Sequence, residues 1–534
     1  MHLKQSPYIF VESLFSLENW HMKFKVKVLG IEAGRKLMVI IDDKDASLLG
    51  VRTSDRVKIT YKDKSIIAIV NIATRFPRNT IGVFDEVCSK LGIERGDEVE
   101  VYPAKSPESL AYIRDKIFGY ELNAQEIKAI VKDVVDQNLS DIEIASFLTT
   151  LHVRGTNMDE IEALSRAMVE TGQILEWEDH PILDKHSIGG VPGDKTTLLV
   201  VPIVAAAGFT IPKTSSRAIT SAAGTADRVE SLCPVNLSLE EIRDVVKKTK
   251  ACMVWGGALD LAPADDLFIQ VEYPLSIDPL LLPSIMSKKK AIGTDYVVID
   301  LPTGRGTKIK TIGEAQHLAR NFIELGNRLG IKVECAVTFG EQPIGFAIGP
   351  ALEAREALQT LMGKGPIDLQ DKAINLASML LEMAGVDSSR DKATEILRTG
   401  KAEEKLREIV AAQGGNQYIK PEDIGIGDKV AKVVSNYDGK VLWINNNDIV
   451  QIAREAGAPK EKGAGILLKV KIGNEVVKGD VLFEIYAERS QKLESAFALA
   501  EKLKPIGIGQ RYDIMIMSRI PARAKQERTF ILER

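Results

Sequence analysis

The sequence predicts a multidomain α/β protein in four parts: a small N-terminal β-barrel-like domain, a helical domain, a central α/β domain, and a C-terminal β-rich α+β domain. Three observations carry this. Short β-branched runs divided by polar turns fill residues 23–103. Three helix-start signals then follow in close succession. From Ile182 onward, short apolar strands alternate with helical segments.

Residues 1–21 read as an extension outside the fold, because Met22 stands directly before the strand-like run Lys23-Phe24-Lys25-Val26-Lys27-Val28. They lack the basic start, apolar stretch and cleavage site of a signal peptide. The β domain spans 22–105, with strand-like runs at 37–41, 57–61 and 66–70. In the helical domain, 106–180, Asn123, Ser140 and Asn157 each stand three residues before a glutamate (Glu126, Glu143 and Glu160). Cap and glutamate can then satisfy exposed helix N–H groups reciprocally. The 262–292 stretch is expected to return to this domain. The α/β domain takes 181–261 and 293–412, with strands at 296–300 and 331–335 bracketing a helix at 312–329; residues 243–250 interrupt its rhythm. The last domain, 413–534, holds an alternating stretch at 465–484 and an amphipathic helix at 490–504. No internal repeat is evident.

With 45% hydrophobic residues, 27% charged residues and a net charge of −4, the chain lacks the basic excess of a general nucleic-acid or membrane-surface binder. Its longest apolar run, 198–209, contains Pro202 and is too short to cross a bilayer. Cys88, Cys233, Cys252 and Cys335 are scattered, as in a reduced cytoplasmic protein. The histidines form no ligand pattern, so no metal is expected. The pair Asp265-Asp266 reads as facing solvent or capping a helix.

The chemistry concentrates in two loops. The first, Lys185-His186-Ser187-Ile188-Gly189-Gly190-Val191-Pro192-Gly193-Asp194-Lys195-Thr196-Thr197, lies between the strand-like Ile182-Leu183 and an apolar helix beginning near Leu198. Glycines, a lysine, hydroxyls and a helix N-terminus together suit an anion. A P-loop is excluded because Asp194 separates Gly193 from Lys195. The second loop, 213–230, follows the strand-like 209–211 and gathers Thr214, Ser215, Ser216, Thr220, Ser221 and Thr225 around Arg217. Two such loops at the strand ends of one sheet suggest two phosphates, or one held from two sides.

The two loops resemble those of the thymidine/pyrimidine-nucleoside phosphorylase family, and especially its archaeal AMP phosphorylase branch. The likeness runs from about Leu110 to the C-terminus. The β domain before Lys105 is similar to what marks that branch. The resemblance implies a pentosyltransferase that splits AMP with inorganic phosphate as co-substrate and no cofactor, with CMP and UMP as further candidate substrates; a pyrimidine nucleoside phosphorylase and a non-catalytic nucleotide-sensing protein are the alternative readings. It also implies a homodimer or larger homo-oligomer, acting in the cytoplasm without nucleic-acid or membrane partners. Phosphate contacts would come from Lys185, Ser187, Thr197, Ser215 and Thr225. AMP contacts would come from Gly190, Ser216, Arg217, Ala218, Ile219, Thr220, Ser221, Thr225, Ser284 and Lys308, and Asp278 would be the proton donor. Thr197 replaces the serine of the pyrimidine enzymes but keeps the hydroxyl, and Pro192 is an added residue.

The positions that resemble the family's pyrimidine-reading Tyr-x-x-Arg are Phe268 and Val271, which cannot make those hydrogen bonds. Ser284 and Lys288 keep Ser-x-x-x-Lys spacing on one helical face, which adds Lys288 to the AMP set. Two anions in one site call for several cations, here Lys185, Arg217, Lys288 and Lys308. Adenine leaves well only when N7 is protonated. Burial of Asp278 beside Pro274, Leu275, Ile277 and Pro279 would favour its proton-bearing form. His186 reads as a positioning or packing residue beside the phosphate rather than an acid.

Overall fold

The structure, a computed structural model, describes residues 21–509 except Arg35. The expectation for the N-terminal extension therefore falls on residues outside those described, His21 apart. The described residues divide into two compact units, 21–175 with Asp260–Ile292 and Glu176–Leu259 with 293–509.

The first unit begins with β1 (Met22–Val28), β2 (Met38–Asp42), α1 (Asp43–Leu49), β3 (Arg56–Tyr61), β4 (Lys64–Ala73), β5 (Thr80–Val83), α2 (Asp85–Leu91) and β6 (Glu98–Ala104). The strands close into a barrel in the order β1-β5-β2-β4-β3-β6, which removes free sheet edges. Alternate residues point inward: Phe24, Val26, Val39, Ile41, Val57, Ile59, Ile81, Val83, Val99 and Val101 are all buried.

This barrel corrects the reading that the chain has no internal repeat. β1 runs parallel to β5 and antiparallel to β6, and β4 runs parallel to β2 and antiparallel to β3. The barrel is thus two copies of one strand-strand-helix-strand unit. The sequence echo is short: Leu49-Gly50-Val51 with Asp55, Val57 and Ile59 corresponds to Leu91-Gly92-Ile93 with Asp97, Val99 and Val101. Gly50 and Gly92 end α1 and α2 at φ 75° and 70°, a left-handed turn that favours glycine. Elsewhere only the pattern of burial repeats, and many side chains satisfy that.

Helices Ser109–Phe118, Ala124–Val135, Asp141–Arg154, Met158–Glu170, Pro263–Leu275 and Leu281–Ala291 complete this unit. All three capping boxes form. Two of their glutamates do more than cap. Glu143 takes Arg56 of β3 at 2.5 Å, and buried Glu160 takes Lys116 at 2.6 and 2.8 Å.

The second unit contains a parallel sheet in the order Lys332–Phe339, Tyr296–Thr303, Leu183–Ser187. A parallel pair, Ile211–Ser215 and Ala251–Trp255, continues it through the bridge between Ile182 and Thr210. Both site-bearing strands run further than the sequence suggests, so Lys185, Ser187 and Ser215 stand on strands rather than in loops. Residues 243–250 do not break the alternation. They fall in and at the end of helix Leu239–Thr249, whose Ser238–Glu241 capping box is of the same kind as the other three. Helix Thr197–Ala206 is buried along nearly its whole length, and Pro202 is accommodated within it.

The C-terminal part has its own core around Ile449, Ile452, Ile466, Phe483 and Ile485. Its four-stranded sheet includes Ala347–Ile348, so the expected boundary at 413 is crossed. Among the described residues no helix is long and apolar enough to cross a membrane. Among them, too, no group of three or more His, Cys, Asp or Glu could hold a metal ion.

Candidate active site

Because the strands of the sheet are parallel, Ser187, Ser215 and Thr303 end on one edge, and the loops that follow them share it. The first loop leads into helix Thr197–Ala206 through Gly189, Gly190 and Gly193, all at positive φ. Two of these glycines are required by space as well. A Cβ on Gly190 would lie 2.9 Å from the Lys308 backbone nitrogen, and one on Gly193 would lie 2.5 Å from the Ile344 carbonyl oxygen. The glycine loop is therefore packed directly on the 304–308 turn. That turn is closed by the Thr307 hydroxyl, which donates to the Gly304 carbonyl at 2.8 Å. Lys308 is exposed on it.

Beneath this loop lies a buried ionic cluster. Lys185 donates from Nζ to Thr196 Oγ1 at 2.9 Å and stands 4.0 Å from Asp194. Lys372, on helix Ile367–Met383, is 2.8 Å from Asp300 and 3.7 Å from Asp194. The Thr338 hydroxyl donates to Asp300 at 2.6 Å. Burial lowers the pKa of Lys185, with Asp194 and Asp300 acting against it. Burial would raise Asp194, but Lys185 and Lys372 outweigh it and hold the carboxyl below its usual range. The carboxylate that excluded a P-loop is thus the counter-ion of two lysines. Lys195 is withdrawn from the loop: its ammonium takes the Ile344 and Ala347 carbonyls at 3.0 and 2.9 Å and pairs with Glu356.

In the second loop the Asp227 carboxylate accepts from the backbone N–H groups of Ala218 and Gly224 at 2.7 and 2.8 Å, which closes residues 218–224 into a ring. Ser216, Ile219 and Thr220 remain exposed, while Ser221 and Thr225 are half-buried. Arg217 is not the open cation that the sequence suggests. Its guanidinium grips Glu230 at 2.7 and 2.8 Å, reaches Asp227 at 3.3 Å, and lies 5.0 Å from the Trp255 ring centre. Those carboxylates neutralise its charge. What it offers a ligand is a fixed loop.

In the other unit, Ser284 and Lys288 lie on helix Leu281–Ala291. Lys288 pairs at 2.5 Å with Asp265, which is fully buried rather than facing solvent or capping a helix. Burial penalises the Lys288 ammonium, but Asp265 outweighs it and holds the pKa above the usual lysine value. Phe268 is also fully buried, its ring centre 6.4 Å from that of Phe147. It is therefore a core residue of this unit. Asp278 does not receive the expected burial: it is exposed, as are Pro274 and Leu275, because it follows the left-handed end of helix Pro263–Leu275 at Ser276.

Sequence reasoning missed Lys372, and also Arg454, whose Nη1 donates to the carbonyls of Ile219 and Ser221 in the second loop. Lys372 had a signal, since it lies among Leu369, Ala373 and Leu376 on an apolar helical face, where a lysine needs a buried partner. Arg454 had none.

Comparison with known proteins supplies the family context. Residues 110–172 match the helical bundle domain of a glycosyl transferase family, and 179–403 match its a/b domain. Residues 441–507 match the pyrimidine nucleoside phosphorylase C-terminal domain. An AMP phosphorylase of Thermofilum pendens is 51% identical over 96% of this chain and 100% of its own. That of Thermococcus kodakarensis is 52% identical over 93% and 99%, and that of Methanocaldococcus jannaschii 51% over 91% and 97%. A solved anthranilate phosphoribosyltransferase of Thermus thermophilus matches 56% of this chain and 98% of its own at TM-score 0.49 and 20% identity, too weakly to bear on the reaction.

Proposed function

The chain belongs to the AMP phosphorylase family, and from that premise we propose that it cleaves AMP with inorganic phosphate into adenine and ribose 1,5-bisphosphate. The observation that carries this reading is the agreement, over nearly the whole chain, with relatives bearing that name. The loop edge fits it chemically. Lys185, Ser187, Thr197, Ser215 and Thr225 are the proposed phosphate contacts. The proposed AMP contacts are Gly190, the run 216–221, Thr225, Ser284, Lys288 and Lys308, with Lys308 taking the 5′-phosphate.

A phosphate oxygen attacks C1′ as the bond to N9 breaks, and the bonding pair leaves with adenine. Positive charge on the sugar is met by the arriving phosphate. The excess negative charge of the two phosphate groups is met by lysines and fixed N–H dipoles. Asp278, exposed in this structure, is the proposed donor to N7, which makes adenine a neutral leaving group, with the negative charge of the bound phosphates rather than burial favouring its proton-bearing form. CMP and UMP are proposed as further substrates and inorganic phosphate as the co-substrate, with no cofactor. The enzyme is proposed to act in the cytoplasm as a homodimer or larger homo-oligomer.

The test is to follow free base from AMP, CMP, UMP, adenosine and thymidine, with and without phosphate. Phosphate-dependent release from the monophosphates alone is expected. Release mainly from the nucleosides would refute the 5′-phosphate contact, and no release at all would refute the activity.

A further inference from the structure

The run 216–221 has exposed members and no regular hydrogen bonding of its own, so something outside it must set its shape. Three contacts reach it or its neighbours from the C-terminal part. Arg454, in the last turn of helix Asn446–Glu455, donates from Nη1 to the carbonyl oxygens of Ile219 at 3.0 Å and Ser221 at 3.1 Å. The next residue, Ala222, is buried within the C-terminal core. Lys462 stands 3.0 Å from Glu230, the residue that grips Arg217.

The other end of the same helix serves the 304–308 turn. Asn446 Nδ2 donates to the Gly340 carbonyl at 2.8 Å, and a Cβ on Gly306 would lie 3.5 Å from the Asn446 Cβ. One rigid helix, about 12 Å from residue 446 to residue 454, thus braces two of the segments to which AMP contacts are assigned.

We propose that Arg454 is a positioning residue for the nucleoside monophosphate, acting through the carbonyls of Ile219 and Ser221. In a trans peptide the C=O and the following N–H point in opposite directions. With the Ile219 carbonyl turned to the guanidinium, the Thr220 N–H is directed away from it. The same contact keeps two carbonyl dipoles from turning toward an anion. A loop held in its binding conformation loses less freedom when AMP arrives. This inference rests on the reading that 216–221 contacts AMP.

The experiment compares Arg454→Met, which keeps the apolar stem, and Arg454→Lys with the wild type. AMP is varied at saturating phosphate, and phosphate at saturating AMP. If Arg454→Met leaves the loop competent about a tenth of the time, KM for AMP rises about tenfold. KM for phosphate should stay within about twofold, and Arg454→Lys should recover part of the loss by donating to the same carbonyls. Ser216→Ala is measured alongside. If it leaves KM for AMP unchanged, the loop assignment itself fails. If it raises KM while Arg454→Met does not, only the present inference fails. A fall in kcat that follows a lowered melting temperature, with KM for AMP unchanged, would assign Arg454 to folding alone and overturn the proposal.

Discussion

Replacing Lys372 with methionine should destabilise the second unit more than an ordinary lysine substitution does. Lys372 is 9% exposed, and its ammonium lies 2.8 Å from fully buried Asp300 and 3.7 Å from Asp194. Asp194 keeps Lys185 at 4.0 Å after the substitution, whereas Asp300 loses its 2.8 Å ion pair and keeps the Thr338 hydroxyl at 2.6 Å and the more distant charge of Lys185. The cost is therefore that of stranding one buried carboxylate, about 3–5 kcal/mol. For a unit of this size that corresponds to a fall in melting temperature on the order of 5–10 °C. In Lys372→Met/Asp300→Asn both charges are gone, while the new amide oxygen still accepts from Thr338. The double variant should recover most of the loss, with a coupling between the two sites of about 2 kcal/mol or more. Calorimetry and urea titration of wild type, both single variants and the double variant measure this. A Lys372→Met melting temperature within about 2 °C of wild type, or strictly additive effects, would refute the reasoning.

The other predictions concern the loops and the acid. Gly190→Ala places a Cβ 2.9 Å from the Lys308 nitrogen at a φ of 93°. It should cost about 1–3 kcal/mol and raise KM for AMP; an unchanged KM would show that the packed turn plays no part in binding. Arg217 hydrogen bonding, with help from Lys462, holds the Glu230 carboxyl down at about 2, against the opposing effect of its partial burial. Its stabilising effect is therefore fully present above the usual glutamate range of about 4 and is lost as pH falls toward 2. Glu230→Gln should flatten that part of the curve of melting temperature against pH, and an unaltered acid slope would count against the pairing. Asp278→Asn should lower kcat by about 10²–10⁴ while AMP still protects the protein thermally. Near-normal turnover would remove the proton-donor assignment.

What the sequence determined by itself is whatever chemistry acts over a few residues. The pairs Asn123–Glu126, Ser140–Glu143 and Asn157–Glu160 announce capping boxes because cap and glutamate lie within one helical turn. The alternation along β1 to β6 announces a half-buried sheet because strand faces repeat every second residue. The glycine and hydroxyl loops are legible because an anion cradle needs residue types that crowd together in sequence. The tertiary structure alone decided where the charges go. Arg217 is neutralised by Glu230, thirteen residues on, Lys195 is taken by Glu356, and Lys288 by Asp265. Lys372 and Asp194 are far apart in the chain, as are Arg454 and the carbonyls of Ile219 and Ser221. No periodicity records such partners, since a buried charge requires a counter-ion in space, at any sequence separation. The exposure of Asp278 has the same origin. Apolar neighbours along the chain bury a side chain only when the fold packs something over them, and here the left-handed turn at Ser276 leads it outward.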